Sequence, residues 1–347
     1  MKGLVYHGDG AKQWERMPDP SIQKDTDVLI RVDSTTICGT DLHILEGRVP
    51  MVQPGTILGH EATGTVLEVG RASSLEVGDR VICKCVTSCG RCRYCRAGSF
   101  GQCIDEEGGW ILGGKGHGVQ AEFARIPFAD NSLQKIPEGL TDEQAVYLSD
   151  ILTTGFEVGV LRANLQPGET IVVVGAGPIG LSTMAVASLY SPATIIAVEP
   201  SQSRREFAGR LADVVVAPEG ARAAVDEATE GLGADVAIEA VGLPQTFEQC
   251  CELVRAGGRV ANIGGHGQPA TLHLETLWLK EITITTGIPN HRTAPILLNA
   301  IAAGRLDPTI FTSHRFALHD MMQAYDVFEH AIEAGALKVL LTPGARA

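Results

Sequence analysis

Thr170-Ile-Val-Val-Val-Gly175-Ala-Gly177-Pro-Ile-Gly180 decides the architecture of this chain. Ile171 to Val174 are uncharged and branched, as a buried strand requires, and they run into glycines spaced G-x-G-x-x-G. A helical stretch, Leu181 to Leu189, follows. The glycine spacing alone is a weak signal in a chain with 40 glycines. It becomes specific because a strand precedes it, a helix follows it, and the next strand, Ile195-Ile-Ala-Val-Glu199, ends on an acid. Gly175 permits the tight turn, Gly177 lets backbone approach a pyrophosphate, and Gly180 permits close helix–strand packing. The free N–H groups and dipole of the helix N-terminus would then hold the pyrophosphate. Glu199 can accept hydrogen bonds from the ribose hydroxyls and repel a 2′-phosphate; a surface acid at a strand end is the alternative. Ser201, Ser203, Arg204 and Arg205 can tolerate a phosphate, so NAD is expected and NADP is less favoured.

Outward from this turn, strand and helix alternate. Strands are predicted at Ile171–Val174, Thr194–Val198, Val214–Ala217, Asp235–Ala240, Arg259–Ile263 and Thr283–Thr286, with helices such as Ser201–Ala212 and Thr246–Arg255 between them. This is the pattern of an α/β, doubly wound parallel sheet of the Rossmann kind. The earlier chain reads as β-rich, with strands at Asp27–Val32, Thr63–Val69, Asp79–Val86 and Ala121–Ile126. Thr141-Asp-Glu-Gln-Ala opens a helix, with an N-cap and early acids, that is expected to run towards Val160. The tail from Ala294 reads as two helices and a last strand, Lys338–Leu341. At 347 residues the chain exceeds one comfortable core. The expected division is 1–152, a nucleotide-binding domain at 153–290, and a return to the first domain at 291–347.

Composition excludes other classes. Hydrophobic content of 44% with 20% charged residues is that of an ordinary globular protein, and a net charge of -13 argues against nucleic acid or an anionic membrane as partner. The N-terminus lacks the pattern of a secretory signal. Ile171–Tyr190 is apolar enough to raise a membrane-helix question, but its glycines and Pro178 fit a strand–turn–helix better. A cytoplasmic protein is expected, in which nine cysteines are metal ligands or buried thiols rather than disulfides.

Cys89-x2-Cys92-x2-Cys95-x7-Cys103, with Gly90 and Gly98 to let the loop curl, can close a tetrahedral four-thiolate zinc site. An iron–sulfur cluster is the competitor, but ferredoxin motifs bring a fourth Cys after three residues and then Pro. Four thiolates leave no open position, so this zinc should be structural. A second group, Cys38-Gly-Thr40-Asp41-Leu-His43 with Gly59-His60-Glu61, fits an open catalytic zinc site. Taken singly, Cys38 could be a buried thiol and His60 a core histidine.

These motifs, in this order, resemble those of the zinc-containing medium-chain alcohol dehydrogenases over essentially the whole chain. The resemblance implies a GroES-like catalytic domain around the Rossmann domain. Many members take a third Cys as last catalytic ligand, and this sequence has none between Cys103 and Cys250. Matched to bacterial secondary alcohol dehydrogenases and carbonyl reductases, Leu148-Ser-Asp150-Ile-Leu-Thr-Thr154 puts Asp150 at that position. The implied catalytic zinc ligands are Cys38, His60 and Asp150, with Glu61 as a nearby or exchanging ligand and Asp41 orienting His60.

The resemblance further implies alcohol oxidation in which zinc lowers the alcohol pKa and hydride passes to the nicotinamide. Thr40 would hydrogen-bond the substrate oxygen and pass its proton through the nicotinamide ribose to His43. Implied cofactor contacts are Thr154, Ile179, Arg204, Val241, Ile263 and Lys338, the last near the pyrophosphate. Trp110 and Ile288 are expected to line the substrate pocket, and secondary alcohols are favoured over primary ones. A homotetramer is the family expectation, with a dimer as alternative. Polyol and threonine dehydrogenases are the nearest competing activities. A zinc-ribbon module on a nucleotide-sensing domain is a reading from another class, disfavoured by the net charge and by the Cys38, His60 and Asp150 set.

Overall fold

The computed structural model describes residues 1–344, which divide into two compact units: Met1–Asp150 with the segment from Pro289 onward, and Ile151–Ile288. Both crossings fall two residues before the expected boundaries. In chain order the strands are β1 (Lys2–Gly8), β2 (Ala11–Arg16), β3 (Val28–Thr36), β4 (Ala62–Val69), β5 (Arg80–Cys83), β6 (Phe123–Ile126) and β7 (Leu133–Lys135). Then come β8 (Thr170–Val174), β9 (Thr194–Val198), β10 (Val214–Val216), β11 (Ala234–Glu239), β12 (Val254–Asn262), β13 (Thr283–Thr286), β14 (Thr312–Ala317) and β15 (Lys338–Thr342).

The first unit is built on a sheet of order β14-β15-β3-β4-β5-β7, with β6 also on β3, beside a β1-β2 hairpin. Central β3 alternates inward Val28, Ile30 and Val32 with half-exposed neighbours, as a half-buried strand should. The sequence reading missed β1, β2, β7 and β14. β2 (AKQWER) and β14 (TSHRFA) are mostly polar edge segments without an apolar alternation to betray them.

A second departure shapes the site. The helix predicted from Thr141 to Val160 begins as expected, with Thr141 Oγ1 and Gln144 forming a reciprocal cap, but covers only Asp142–Val146. A tight turn, Tyr147–Ser149, follows, and Asp150 leaves helical geometry at φ -148, ψ -75. Helix resumes at Ile151–Thr154 and continues as a wide π-helical turn, Gly155–Leu161. Ser149, Asp150, Thr153 and Thr154 are weak helix formers, but propensity places no break at Asp150 in particular; tertiary bonds fix it there. Ser149 Oγ donates to the Ala62 carbonyl at 3.1 Å, and the Cys85 N–H donates to the Ser149 carbonyl at 3.0 Å.

The second unit is a six-stranded, wholly parallel sheet of order β10-β9-β8-β11-β12-β13. Strand order reverses between β8 and β11, and open α/β sheets bind ligands beyond the carboxyl ends of strands at such a point. β8 is buried along its whole length, and the helix Pro178–Ala187 starts directly after Gly177. The Ile171–Tyr190 stretch is therefore a strand–turn–helix, and no helix among the described residues is long and apolar enough to cross a membrane.

Candidate active site and metal centres

Cys38 ends the segment after β3 and caps the helix Gly39–Leu45, where Asp41 Oδ2 accepts the Cys38 N–H at 2.9 Å. Buried Gln120 donates to the same Asp41 oxygen at 3.0 Å and to the Thr36 carbonyl at 3.2 Å, and the Tyr325 hydroxyl donates to Gln120 Oε1 at 2.8 Å. His60 and Glu61 follow Gly59, which has φ +91 and lies so close to Gln120 that a Cβ would stand 2.4 Å from its Cγ. One donor atom each from Cys38, His60, Glu61 and Asp150 falls within 4.8 Å of the others. His60 Nε2 is 3.4 Å and Cys38 Sγ 3.9 Å from Asp150 Oδ2.

A thiol, an imidazole and a carboxylate converging at a partly buried point form a donor set that suits zinc. The electrostatics agree. Burial opposes an imidazolium at His60, yet the Cys38 thiolate and the Asp150 carboxylate overcome it and hold the His60 pKa well above the ordinary value. The donor set therefore attracts positive charge. Asp41 faces His60 as expected, but Nδ1 and Asp41 Oδ1 are 3.8 Å apart and neither atom has a hydrogen-bond partner among the described residues. This is an electrostatic contact and not the expected hydrogen bond.

Thr40 Oγ1 lies 3.6 Å from Cys38 Sγ. His43, three residues on along the same helix, is half-buried, and burial followed by the charge of Arg48 lowers its pKa. Trp110 sets its ring edge-on to His60 at 6.2 Å. Ile288 ends the other unit with a 38% exposed side chain.

Lys338 was expected near the pyrophosphate. Its fully buried ammonium pairs with Glu61 Oε2 and donates to the Ile37 carbonyl at 3.1 Å. Burial works against that charge, and the Glu61 carboxylate outweighs it, raising the Lys338 pKa.

Two buried residues beside this cluster escaped the sequence reading. Cys85 Sγ lies 3.2 Å from His291 Nε2 and 3.8 Å from Asp150 Oδ1, so the carboxylate faces Cys38 and His60 with one oxygen and Cys85 with the other. Burial, then Asp150, pushes the Cys85 thiol well up. A lone cysteine and a histidine 206 positions apart carry no spacing signal.

Cys89, Cys92, Cys95 and Cys103 also bring their sulfurs within 4.8 Å of one another. Gly90 and Gly98 take φ +70 and +78, as the curled loop requires, and a Cβ on Gly108 would stand 2.3 Å from Cys103 Sγ. The Cys95 and Ile104 N–H groups lower the Cys92 pKa to about 6, whereas burial pushes Cys95 up to about 12. Four mutually close thiols fit a closed tetrahedral zinc site.

In the nucleotide turn, each glycine has a different reason to be there. Gly175 sits at φ +100, a Cβ on Gly180 would lie 1.9 Å from the Gly175 carbonyl oxygen, and one on Gly177 would meet nothing nearer than an Arg204 nitrogen at 3.9 Å. The open face at Gly177, with a guanidinium beside it, fits a pyrophosphate. Glu199 is 4% exposed and its carboxylate accepts the N–H groups of Ala176 and Ser201 at 2.8 and 2.9 Å. It ties the second strand to the glycine turn, a bond the sequence does not announce. Val241 and Gly175 line a cavity of about 440 Å³. Ile179 lies in the first turn of the following helix and its carbonyl accepts the Ser182 and Thr183 hydroxyls, Ile263 donates its N–H to the Glu239 carbonyl, and Thr154 is buried.

A β-rich unit with two cysteine-bearing clusters fit for metal and a parallel-sheet unit with a dinucleotide turn have the features of a zinc dehydrogenase. Residues 24–138 match the alcohol dehydrogenase GroES-like domain and residues 178–301 the zinc-binding dehydrogenase domain. An alcohol dehydrogenase of Cupriavidus necator is 35% identical over 99% of both chains. A solved zinc dependent alcohol dehydrogenase 2 from Streptococcus pneumonia is 41% identical over 100% of this chain and 99% of its own, with a TM-score of 0.95. A short chain alcohol dehydrogenase from E. coli CFT073, solved with NADH, is 26% identical over 99% of both chains, with a TM-score of 0.89. The chain belongs to the zinc-dependent medium-chain alcohol dehydrogenase family and is an oxidoreductase of that family.

Proposed function

We propose that this protein interconverts secondary alcohols and ketones with NAD(H), using a zinc ion held by Cys38, His60 and Asp150. The convergence of those three donors within 4.8 Å of one another carries the reading. A zinc ion bound there supplies a Lewis acid for the substrate oxygen. Thr40, beside Cys38, positions the substrate hydroxyl; its Oγ1 accepts that proton as it gives up its own, and the half-buried imidazole of His43 passes a proton on to solvent. Trp110, edge-on to His60, confines the apolar part of the substrate.

Gly177, the helix N-terminus after it and Arg204 hold the pyrophosphate, with Thr154, Ile179, Val241 and Ile263 as further contacts of the cofactor. Glu199 supports NAD over NADP by placing a carboxylate where a 2′-phosphate would fall. A second zinc on Cys89, Cys92, Cys95 and Cys103 is structural. The exposed Trp278 and Leu279 (68% and 69%), in the unit whose sheet ends on β13, support a homo-oligomer, with a tetramer proposed. We also place the protein in the cytoplasm.

A panel of secondary and primary alcohols with both coenzymes tests this. NADH formation fastest with secondary alcohols is the expected result, and equal use of NADP and NAD would overturn the role given to Glu199.

A further inference from the structure

Glu61 is the one member of the catalytic cluster whose part the donor geometry leaves undecided. It follows His60 directly, and one of its oxygens lies within 4.8 Å of the Cys38, His60 and Asp150 donors. A fourth protein ligand would close a tetrahedral zinc and leave no position for substrate. Something must keep this buried carboxylate from completing the shell.

Two buried groups hold it on one side. Glu61 Oε2 receives both the Lys338 ammonium and the Thr36 hydroxyl, while Oε1 has no hydrogen-bond partner among the described residues. Glu61 and Lys338 are each 1% exposed. Lys338 is the first residue of β15, and its Nζ is also fastened to the Ile37 carbonyl. The ammonium therefore cannot follow the carboxylate towards the metal. The charges also balance: Cys38, Asp150 and Glu61 supply three negative charges, met by a divalent ion and one ammonium. Without Lys338, Glu61 would be a buried carboxylate without a counter-charge, a costly state, and the zinc ion would be the nearest cation able to relieve it.

We infer that Lys338 is a positioning residue that tethers Glu61 away from the catalytic metal and so keeps the fourth coordination position open. The inference rests on the zinc reading of the Cys38 cluster. A purely structural Lys338, joining β15 to the segment before Cys38, would loosen the metal site when removed. A tether predicts the reverse.

The test follows the zinc that Cys38→Ser abolishes, measured by its transfer to a chelator in the wild type, Lys338→Met, Glu61→Gln and the double variant. Groups that support metal ligands change affinity by about 10–100-fold, and Lys338→Met should retain its zinc longer by about that factor while kcat falls. In the double variant the longer retention should vanish. Thr36→Val removes the second partner of Oε2 without burying an unpaired charge, so it should move retention in the same direction by less, and it decides the matter if Lys338→Met does not fold. Zinc lost from Lys338→Met or Thr36→Val as fast as from the wild type, or faster, overturns the tether, as does longer retention that persists without Glu61. A wild type in which Cys38→Ser changes no zinc at all refutes the zinc reading itself, and the tether with it.

Discussion

Gly177 and Gly180 stand three residues apart and should fail in opposite ways. A Cβ on Gly180 collides with the Gly175 carbonyl oxygen, which belongs to backbone and cannot step aside. Gly180→Ala is therefore expected to lower the melting temperature. Gly177 has room for a methyl group, so Gly177→Ala should melt near the wild type while its KM for NAD rises, because the methyl group fills space the pyrophosphate needs. Equal thermal losses in the two variants would contradict the division of roles. At His43 the sign of the pH effect follows from its lowered pKa. The unfolded chain takes up the proton first, so the histidine's contribution to stability is lost as pH falls through about 6.5 and levels off below the folded pKa. The relay needs the neutral imidazole, and its acid limb in kcat should lie below pH 6.5. His43→Gln should remove that limb and lower kcat by about 10²–10⁴-fold, the usual share of a general acid–base group. An unchanged pH profile in that variant would exclude the relay.

At the scale of elements, the break in the helix at Asp150 and the four-cysteine loop show what a sequence does and does not reveal. The clustering of the loop's cysteines was legible because they lie close together in the chain and its positive-φ positions at Gly90 and Gly98 are glycines. The glycine turn was legible for the same reason, since local geometry and residue type agree. Asp150 could be matched to a ligand position, but the break that presents it depends on bonds from Ala62 and Cys85, far away in the chain. The Cys85–His291 pair and the Lys338–Glu61 ion pair are equally long-range. The partner of Lys338 was not legible, because an isolated lysine opening an apolar strand does not specify what it pairs with. For the loop, Gly108→Ala should push Cys103 out of place and release about one zinc per chain while the Cys38 cluster keeps its own. Metal content against protein concentration checks this, and two zincs retained would contradict the packing described.

Across the whole molecule, the two metal centres should be separable by function. Cys38→Ala should leave a folded protein with its structural zinc and no alcohol oxidation. Cys89→Ser should lower the melting temperature first and activity only as folding fails. Both centres lie in the unit formed by residues 1–150 and 289 onward, whereas the nucleotide turn lies in the unit formed by residues 151–288. Nucleotide binding by the zinc-depleted chain, followed by NADH fluorescence, should therefore survive at least in part. The central claim is that zinc at Cys38, His60 and Asp150 drives alcohol oxidation. It is tested most directly by NADH formation from a secondary alcohol before and after chelation. The account predicts that chelation abolishes the reaction and that zinc alone restores it; alcohol-dependent NADH formation that continues at an unchanged rate after complete removal of zinc would contradict it.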